Sequence, residues 1–368
     1  MSRAATRVAI IGCGVIAPVY AKTLARLGDV ELVACADGVP ARAEQFAHAH
    51  GGRAMDMAEI LDDPTIDAVV NLTPPLAHAQ VSSAALSAGK ATFSEKPLAV
   101  HFPEGQALVQ LAAERGVRFG CAPDTFLGAG LQTARASIDR GDIGEPVAAC
   151  AFMLGAGPER WHPNPEFFYQ HGAGPLFDMG PYYLTALVQL LGPAASVTAS
   201  GRATSERRTI HSKDRRGEEF GVEIPTHVSS LVSFADGPMA TVVTSFDAQA
   251  TEYRNIEIYG TEGTLAVPDP NRFGGLVRIR AFADRDWREV EMLRPNIPQQ
   301  RGIGLADMLW AQRTGRPHRA SADLALHVLE IMTAAIDSAA SGRRVDLATT
   351  CAPSAPLRCD LPANTFDD

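Results

Sequence analysis

The first residues in the chain able to do chemistry are glycines. Gly12-Cys13-Gly14-Val15-Ile16-Ala17 is a G-x-G-x-x-A element that directly follows an apolar run, Val8 to Ile11, and opens a helical pattern. Such a turn suits a pyrophosphate: Gly12 permits the tight bend, Gly14 lets the backbone approach the anion, and Ala17 lets helix and strand pack closely. The N–H groups of Val15 and Ile16 and the positive end of the helix dipole then face the phosphates. Asp37 ends the second apolar run, twenty residues past Ala17, where a carboxylate can accept both ribose hydroxyls of an adenosine. It would repel a 2'-phosphate, so the expected cofactor is NAD rather than NADP. Arg42 is the residue that keeps NADP as the lesser alternative.

The elements that must carry this turn are legible in the rhythm of the chain. From Arg7 to Cys121, short β-rich runs (Val8–Ile11, Glu31–Ala36, Ala68–Leu72, Ala91–Ser94, Val117–Cys121) alternate with helical patterns, which predicts a doubly wound parallel sheet, a Rossmann-type domain. The rhythm stops near Asp124, which argues against an eight-fold barrel. Longer alternating strands follow, many joined by short turns such as Ala235-Asp236-Gly237, so a second α/β domain with a large, mainly antiparallel open sheet is expected. The predicted organisation is a nucleotide-binding domain over 1–124, a substrate and oligomerisation domain over 125–347 closed by helices at Gly304–Thr314 and Ala322–Ala340, and an extended tail over 348–368. The charged stretch Ser205–Glu219 mixes both signs and reads as a solvated hairpin loop with no assigned role.

Composition limits the partners. With 33 Lys plus Arg against 42 Asp plus Glu, the 368-residue chain carries a net charge of -9, which opposes nucleic acid and anionic lipid. The apolar stretch Val8–Ala21 is interrupted by Gly12, Gly14 and Pro18 and is too short to span a bilayer, and no export signal is evident. Six scattered cysteines form no C-x-x-C pair, which fits reduced thiols in a cytoplasm. His162, Glu166 and His171 match no metal motif, so no metal is expected. The partner that remains is a small molecule.

In an open α/β sheet, ligands lie beyond the carboxyl ends of the strands. Four segments qualify there or in the second domain: Asn71-Leu72-Thr73-Pro74-Pro75 with His78, Glu95-Lys96-Pro97, Asp124-Thr125, and Asp178-Met179-Gly180-Pro181-Tyr182. This set, in this order after the G-x-G-x-x-A turn, resembles the glucose-fructose oxidoreductase/inositol dehydrogenase (Gfo/Idh/MocA) family over residues 7 to about 346. The resemblance implies a pyridine-nucleotide-dependent dehydrogenase acting on a hydroxyl of a sugar, polyol or related cyclic compound, as a homodimer or homotetramer. It implies that Lys96 lies near both nicotinamide and substrate, that Asp178 orients the substrate, and that Asn71, Thr73, Pro74, Pro75, His78 and Glu95 border the cofactor. It also suggests a cis peptide before Pro97. Where most relatives carry an acid/base histidine, this chain has Tyr182, which places it in a tyrosine-variant subset.

The pair has a chemical rationale. Oxidising a secondary alcohol sends a hydride to the nicotinamide and leaves a proton on oxygen for a base within hydrogen-bond reach. Free Tyr and Lys titrate at about 10 and 10.4, too high for that task. A cation beside the phenol favours tyrosinate, so Lys96 and Tyr182 make sense together, with either as the base. Two local geometries are open for Tyr182. A helix starting at Pro175 puts it on the face of Asp178; one capped by Gly180 puts it near a positive helix end. The aromatic, proline-punctuated stretch Gly157–Tyr169 offers Trp161 and Phe168 for stacking on a sugar face. His162 and Tyr183, with Asp124 after the fifth strand, complete the candidate substrate contacts. The alternatives are an NAD-dependent glycosidase or lyase with transient sugar oxidation, and a non-catalytic NAD-binding regulatory protein.

Overall fold

The computed structural model describes residues 5–358 apart from 254, 294–296 and 298. The first half alternates strand and helix: β1 (Thr6–Ile11), α1 (Ala17–Leu24), β2 (Val30–Ala36), α2 (Pro40–His50), β3 (Arg53–Ala54), α3 (Met57–Asp62), β4 (Ala68–Asn71), α4 (Pro75–Ser87), β5 (Ala91–Ser94), α5 (Phe102–Arg115) and β6 (Phe119–Cys121). The strands form one sheet in the order β3-β2-β1-β4-β5-β6, every pairing parallel. Its interior strands are continuous apolar runs because helices cover both faces; Val8, Ala9, Ile10, Val69, Val70 and Phe93 are fully buried. The register aligns the carboxyl ends: Ala36 pairs with Ile11, Ile11 with Asn71, Asn71 with Ser94, and Ser94 with Cys121. Gly12, Asp37, Leu72, Glu95 and Ala122 are therefore the next residues along a single edge.

The second part contains α6 (Ala129–Asp139), β7 (Pro146–Leu154), α7 (Gly174–Leu191), β8 (Ala194–Arg202), β9 (Arg207–Thr209), β10 (Glu219–Gly221), β11 (His227–Phe234), β12 (Met239–Ser245), β13 (Ile256–Gly260), β14 (Gly263–Val267), β15 (Arg278–Ala281) and β16 (Arg288–Glu289). The chain ends with α8 (Ile303–Thr314), α9 (Ala322–Ser341) and β17 (Val345–Asp346). A nine-stranded sheet runs β16-β15-β14-β13-β7-β12-β11-β8-β17. It is not a simple meander, because β7 lies between β13 and β12 and pairs with β12 in parallel. The intervening α7, β8 and β11 separate β7 from β12 in sequence, so a short-turn reading could not find that pairing. Strands β9 and β10 form a separate two-stranded hairpin around the stretch 205–219 expected as a solvated hairpin loop.

The chain divides into two compact units, one of Met1–Gly128, Arg294–Leu326 and Ser354–Asp368, the other of Ala129–Leu293 and His327–Pro353. The expected uninterrupted second domain over 125–347 is thus corrected: α8 and its flanks belong with the Rossmann sheet. The reason is packing. Gly120 bridges to Ser321, and Cys121 N–H donates to Ala320 O at 3.1 Å, so the segment after α8 lines the edge of β6. Buried Asp307 pairs with Arg316 and Arg319, and Arg319 also donates to the carbonyl oxygen of Ala355 at 2.7 Å. The extended tail is consequently fixed as far as Leu357, which is buried; its remainder over 359–368, with Cys359, lies outside the described residues. Helix α9, whose residues from His327 onward lie in the second unit, is long and apolar enough to cross a membrane by composition alone. Its Leu329, Ile331, Met332 and Ala335 are core residues, which accounts for that character.

Asp124 shows what joins α8 to the first sheet. Its carboxylate Oδ2 accepts the N–H groups of Gly302 and Gly304 at 2.8 and 3.0 Å, satisfying donors that the start of α8 would otherwise leave unpaired. Asp124 is 1% exposed, and burial raises its pKa to about 6, outweighing those two hydrogen bonds, which pull the other way. A folded-state pKa above the unfolded value means that its contribution is complete below the unfolded pKa of about 3.8 and is lost as pH rises through about 6. Urea unfolding of the protein and of Asp124→Asn should therefore show wild-type stability falling relative to the variant, by on the order of 2–3 kcal/mol, between acid and neutral pH. A flat or rising difference would show that the cap dominates over burial.

Candidate active site

At the edge of the first sheet, the glycine turn is built by close backbone approach. Gly12 has φ +100°, and a Cβ there would lie 2.5 Å from the carbonyl carbon of Leu72. Its own N–H donates to Ala36 O at 2.8 Å. Gly14 is the opposite case: it is exposed, and a Cβ added there would meet nothing within 4 Å. Val15 is 98% exposed. Ala17, the first residue of α1, is fully buried against the sheet. The turn is therefore closed underneath and open above, which is the shape a pyrophosphate needs. Asp37 completes it: Oδ2 accepts Cys13 N–H at 2.8 Å, and Oδ1 accepts Val39 N–H at 2.8 Å. Arg42 stands 4.0 Å from the same carboxylate, paired with Asp37.

The next two strands make a rigid corner. Asn71 is buried; its Oδ1 accepts the hydroxyl and N–H of Thr73 at 2.6 and 3.2 Å, while its Nδ2 donates to His78 O and Ser82 Oγ, both at 3.0 Å. His78 is 1% exposed, with Nδ1 2.7 Å from Pro97 O and Nε2 2.8 Å from Thr73 O. Burial lowers its pKa, against the pull of those two carbonyls. Two of the expected cofactor contacts are thereby corrected: the polar atoms of Asn71 and His78 are taken up inside the protein, where they tie the Thr73 turn to Pro97. Thr73 is half-buried, Pro74 exposed and Pro75 half-buried, so this part of the segment reaches the surface. The Lys96–Pro97 bond is cis. Glu95 Oε1 accepts the hydroxyl of buried Tyr20 at 3.0 Å, and Oε2 accepts Lys96 N–H at 2.9 Å. Tyr20 had no signal in the sequence beyond a place on the first helix. Lys96 is half-buried at the head of this corner.

In the second unit, α7 starts at Gly174 with Pro175 in its first turn and continues through Pro181 to Leu191. The geometry with Asp178 and Tyr182 one turn apart on a single face is the one realised. Tyr182 lies mid-helix, so the alternative placement beside a helix N-terminus is corrected. Tyr182 is 7% exposed, and Asp178 is half-buried. Tyr183 is 2% exposed, its hydroxyl accepts Asn255 Nδ2 at 2.7 Å, and burial pushes its pKa up to about 12. That phenol is anchored to the strand region rather than offered to a ligand, and Asp124, buried as a cap, is likewise removed from the substrate contacts. Trp161, His162 and Phe168 do come together: the ring centroid of His162 lies 5.3 Å from those of both Trp161 and Phe168. Trp161 is 67% exposed. Among the described residues no group of His, Cys, Asp and Glu could hold a metal ion, and the described cysteines Cys13, Cys35, Cys121, Cys150 and Cys351 are free.

The two glycines of the turn separate folding from binding. Gly12→Ala should destabilise the protein by on the order of 1–3 kcal/mol in urea unfolding, from positive φ and backbone overlap. Gly14→Ala should leave the unfolding midpoint unchanged yet weaken NADH binding about tenfold or more, because its methyl would occupy the path of the phosphates. Unchanged NADH affinity in a fluorescence titration of Gly14→Ala would contradict this account of the turn.

Two sequence profiles match the chain: that of the oxidoreductase family with an NAD-binding Rossmann fold over residues 6–122, and that of the GFO/IDH/MocA C-terminal domain over residues 131–266. The NAD(+)-dependent scyllo-inositol 2-dehydrogenase of Bacillus subtilis is 28% identical over 265 residues, covering 71% of this chain and 73% of that protein. The inositol 2-dehydrogenase of Rhizobium meliloti is 29% identical over 263 residues, 71% of this chain and 74% of its own. Among solved structures, an NAD-binding oxidoreductase from Klebsiella pneumoniae superposes with a TM-score of 0.79 at 26% identity, covering 94% of this chain and 99% of that one. Levoglucosan dehydrogenase in complex with NADH and L-sorbose shares the fold with a TM-score of 0.82 at 23% identity, over 94% of this chain and 99% of its own. The open glycine turn, the aspartate that ends β2 and the Glu95-Lys96-Pro97 corner thus belong to a member of the Gfo/Idh/MocA family, an NAD-binding dehydrogenase.

Proposed function

We propose that this enzyme oxidises a secondary hydroxyl of a cyclic polyol or sugar, or reduces the corresponding ketone, with Lys96 and Tyr182 handling the hydroxyl proton. The observation that carries the reading is the Glu95-Lys96-Pro97 corner, held by Tyr20 and His78 at the carboxyl edge of the parallel sheet. That edge is where a doubly wound fold presents its ligand. The Asp37 carboxylate beside the turn supports NAD over NADP, and its pairing with Arg42 leaves that guanidinium partly neutralised as a receptor for a 2'-phosphate.

When bound, NAD supplies the hydride acceptor. The chain's own groups would do the rest. The Lys96 ammonium donates a hydrogen bond to the substrate hydroxyl, stabilising the alkoxide character that develops as hydride leaves. Tyr182, buried on α7, would accept the proton. Asp178, one helical turn away, orients the substrate through its hydroxyls. Trp161, His162 and Phe168 offer an apolar, ring-lined surface suited to the C–H face of a sugar. The inositol and levoglucosan dehydrogenases among the relatives support a cyclic substrate with several hydroxyls. Leu231 and Met239, which the register places on one face of the nine-stranded sheet and which are about half exposed, support assembly as a homodimer or homotetramer. Free thiols throughout the described cysteines suit a cytoplasmic setting.

The test is a panel of inositols, anhydrosugars, aldoses and sugar acids assayed for NADH formation, with NADP in parallel. Stoichiometric NADH with a cyclic polyol or sugar is the expected result; glycoside cleavage without NADH would establish the non-redox reading, and tight NAD binding with no turnover the regulatory one. With an active substrate, Lys96→Ala and Tyr182→Phe should each lower kcat by about 10²- to 10⁴-fold. Near-normal turnover in Tyr182→Phe with none in Lys96→Ala would transfer the base role to Lys96.

A further inference from the structure

The hairpin β9–β10 and the aromatic segment Gly157–Tyr169 are joined by two arginines, one meeting both ends of the segment and the other its middle. Arg208, on β9, donates to Glu159 Oε1 at 2.8 Å and bonds Asp247; only 12% of its side chain is exposed. Glu159, 5% exposed, also accepts the hydroxyl of Tyr169, which is fully buried, and the guanidinium lies 5.3 Å from the centre of that ring. The second oxygen of Asp247 accepts Thr226 Oγ1 at 2.7 Å. Ile210, Phe220, Ile224 and Phe246 pack around Tyr169 as a small core. In the middle of the segment, Arg215 pairs with Glu166 at 2.6 Å and donates to Asn164 Oδ1 at 3.0 Å.

Between these anchors lies a ladder of rings. Trp161 meets His162, His162 meets Phe167 and Phe168, each at 5.3 Å, and Phe167 lies 4.0 Å from Phe168. Trp161 and Phe167 are 67% and 45% exposed. A short loop with this many apolar rings would lower its free energy by folding them inward. Two fixed points, one a nearly dry ionic cluster, prevent that rearrangement. Rings held before a ligand arrives need no ordering when it binds.

We propose that the β9–β10 hairpin is a clamp that keeps the Trp161–Phe168 ladder preformed as a stacking platform for the apolar face of the substrate ring, with Arg208 and Arg215 as positioning residues. The inference rests on the reading above that Trp161, His162 and Phe168 meet the substrate. Arg215 is the more useful probe, since it is partly exposed and its loss leaves the buried cluster intact.

Hydrogen exchange by mass spectrometry on the full chain, with Arg208→Gln, Arg215→Ala, Arg215→Lys and Trp161→Ala, tests the clamp. Amides of 157–169 should exchange about tenfold faster in Arg215→Ala, with Rossmann peptides unchanged and partial recovery in Arg215→Lys. On the polyol that reduces NAD fastest, KM should rise about fivefold or more in Arg215→Ala and in Trp161→Ala, with kcat within about twofold in Arg215→Ala. Unchanged exchange in both arginine variants overturns the clamp. Faster exchange with unchanged KM in Arg215→Ala, while Trp161→Ala raises KM, overturns the positioning role and leaves the substrate reading standing. A KM unmoved by Trp161→Ala removes the platform and the substrate reading of these rings together.

Discussion

Buried polar groups must find partners, and at the carboxyl edge of the first sheet that requirement shapes everything else. Asn71 ends β4 with an amide that has no water to bond, so it satisfies Thr73, His78 and Ser82. His78 in turn bridges Thr73 and Pro97, and Glu95 takes the hydroxyl of Tyr20. Each bond is worth little net, but leaving any of these groups unpaired in the interior costs more than the bond gives, so the network admits one arrangement. Its product is the fixed backbone of Lys96. The proposed role of Lys96 would gain from such a mount, because backbone orientation settled in folding is not lost again at the reaction.

The glycine turn obeys a related constraint, steric rather than polar. Gly12 exists where it does because the backbone of Leu72 leaves no room for a side chain, whereas Gly14 is set in open space. Two glycines two residues apart therefore answer different demands, one from the protein beneath and one, as proposed, from the phosphates above. Asp37 links them by taking the intervening Cys13 N–H. The aspartate is thus part of the turn's construction as well as the residue proposed to meet the ribose.

The second unit solves its problem with charge. The stretch 205–219 looks like a solvated loop because its charges alternate in sign, and most of it is exposed. Arg208 departs from that pattern: two carboxylates from distant segments, Glu159 and Asp247, meet its guanidinium, and Tyr169 covers it. Burying an ion is tolerable only with such partners. Nothing local distinguishes Arg208 from Arg207 beside it, which pairs with Glu219 at the surface. The difference is decided by residues far away along the chain.

The parallel sheet and the nucleotide turn were legible in the chain, because periodicity and glycine placement are local properties, whereas the face shared by Asp178 and Tyr182 was one of two geometries that the spacing allowed. The same locality explains the errors. Asp124, Asn71, His78 and Tyr183 have residue types fit for ligands, but their partners lie in segments that only folding brings near, and those partners consume them. The return of α8 to the first unit and the parallel pairing of β7 with β12 join stretches far apart in sequence, so no window of residues contains them. What the sequence determined by itself was the kind of chemistry available and the elements that bear it. Which polar groups remain for that chemistry was decided by tertiary structure, since a buried donor or acceptor bonds whatever the fold places beside it.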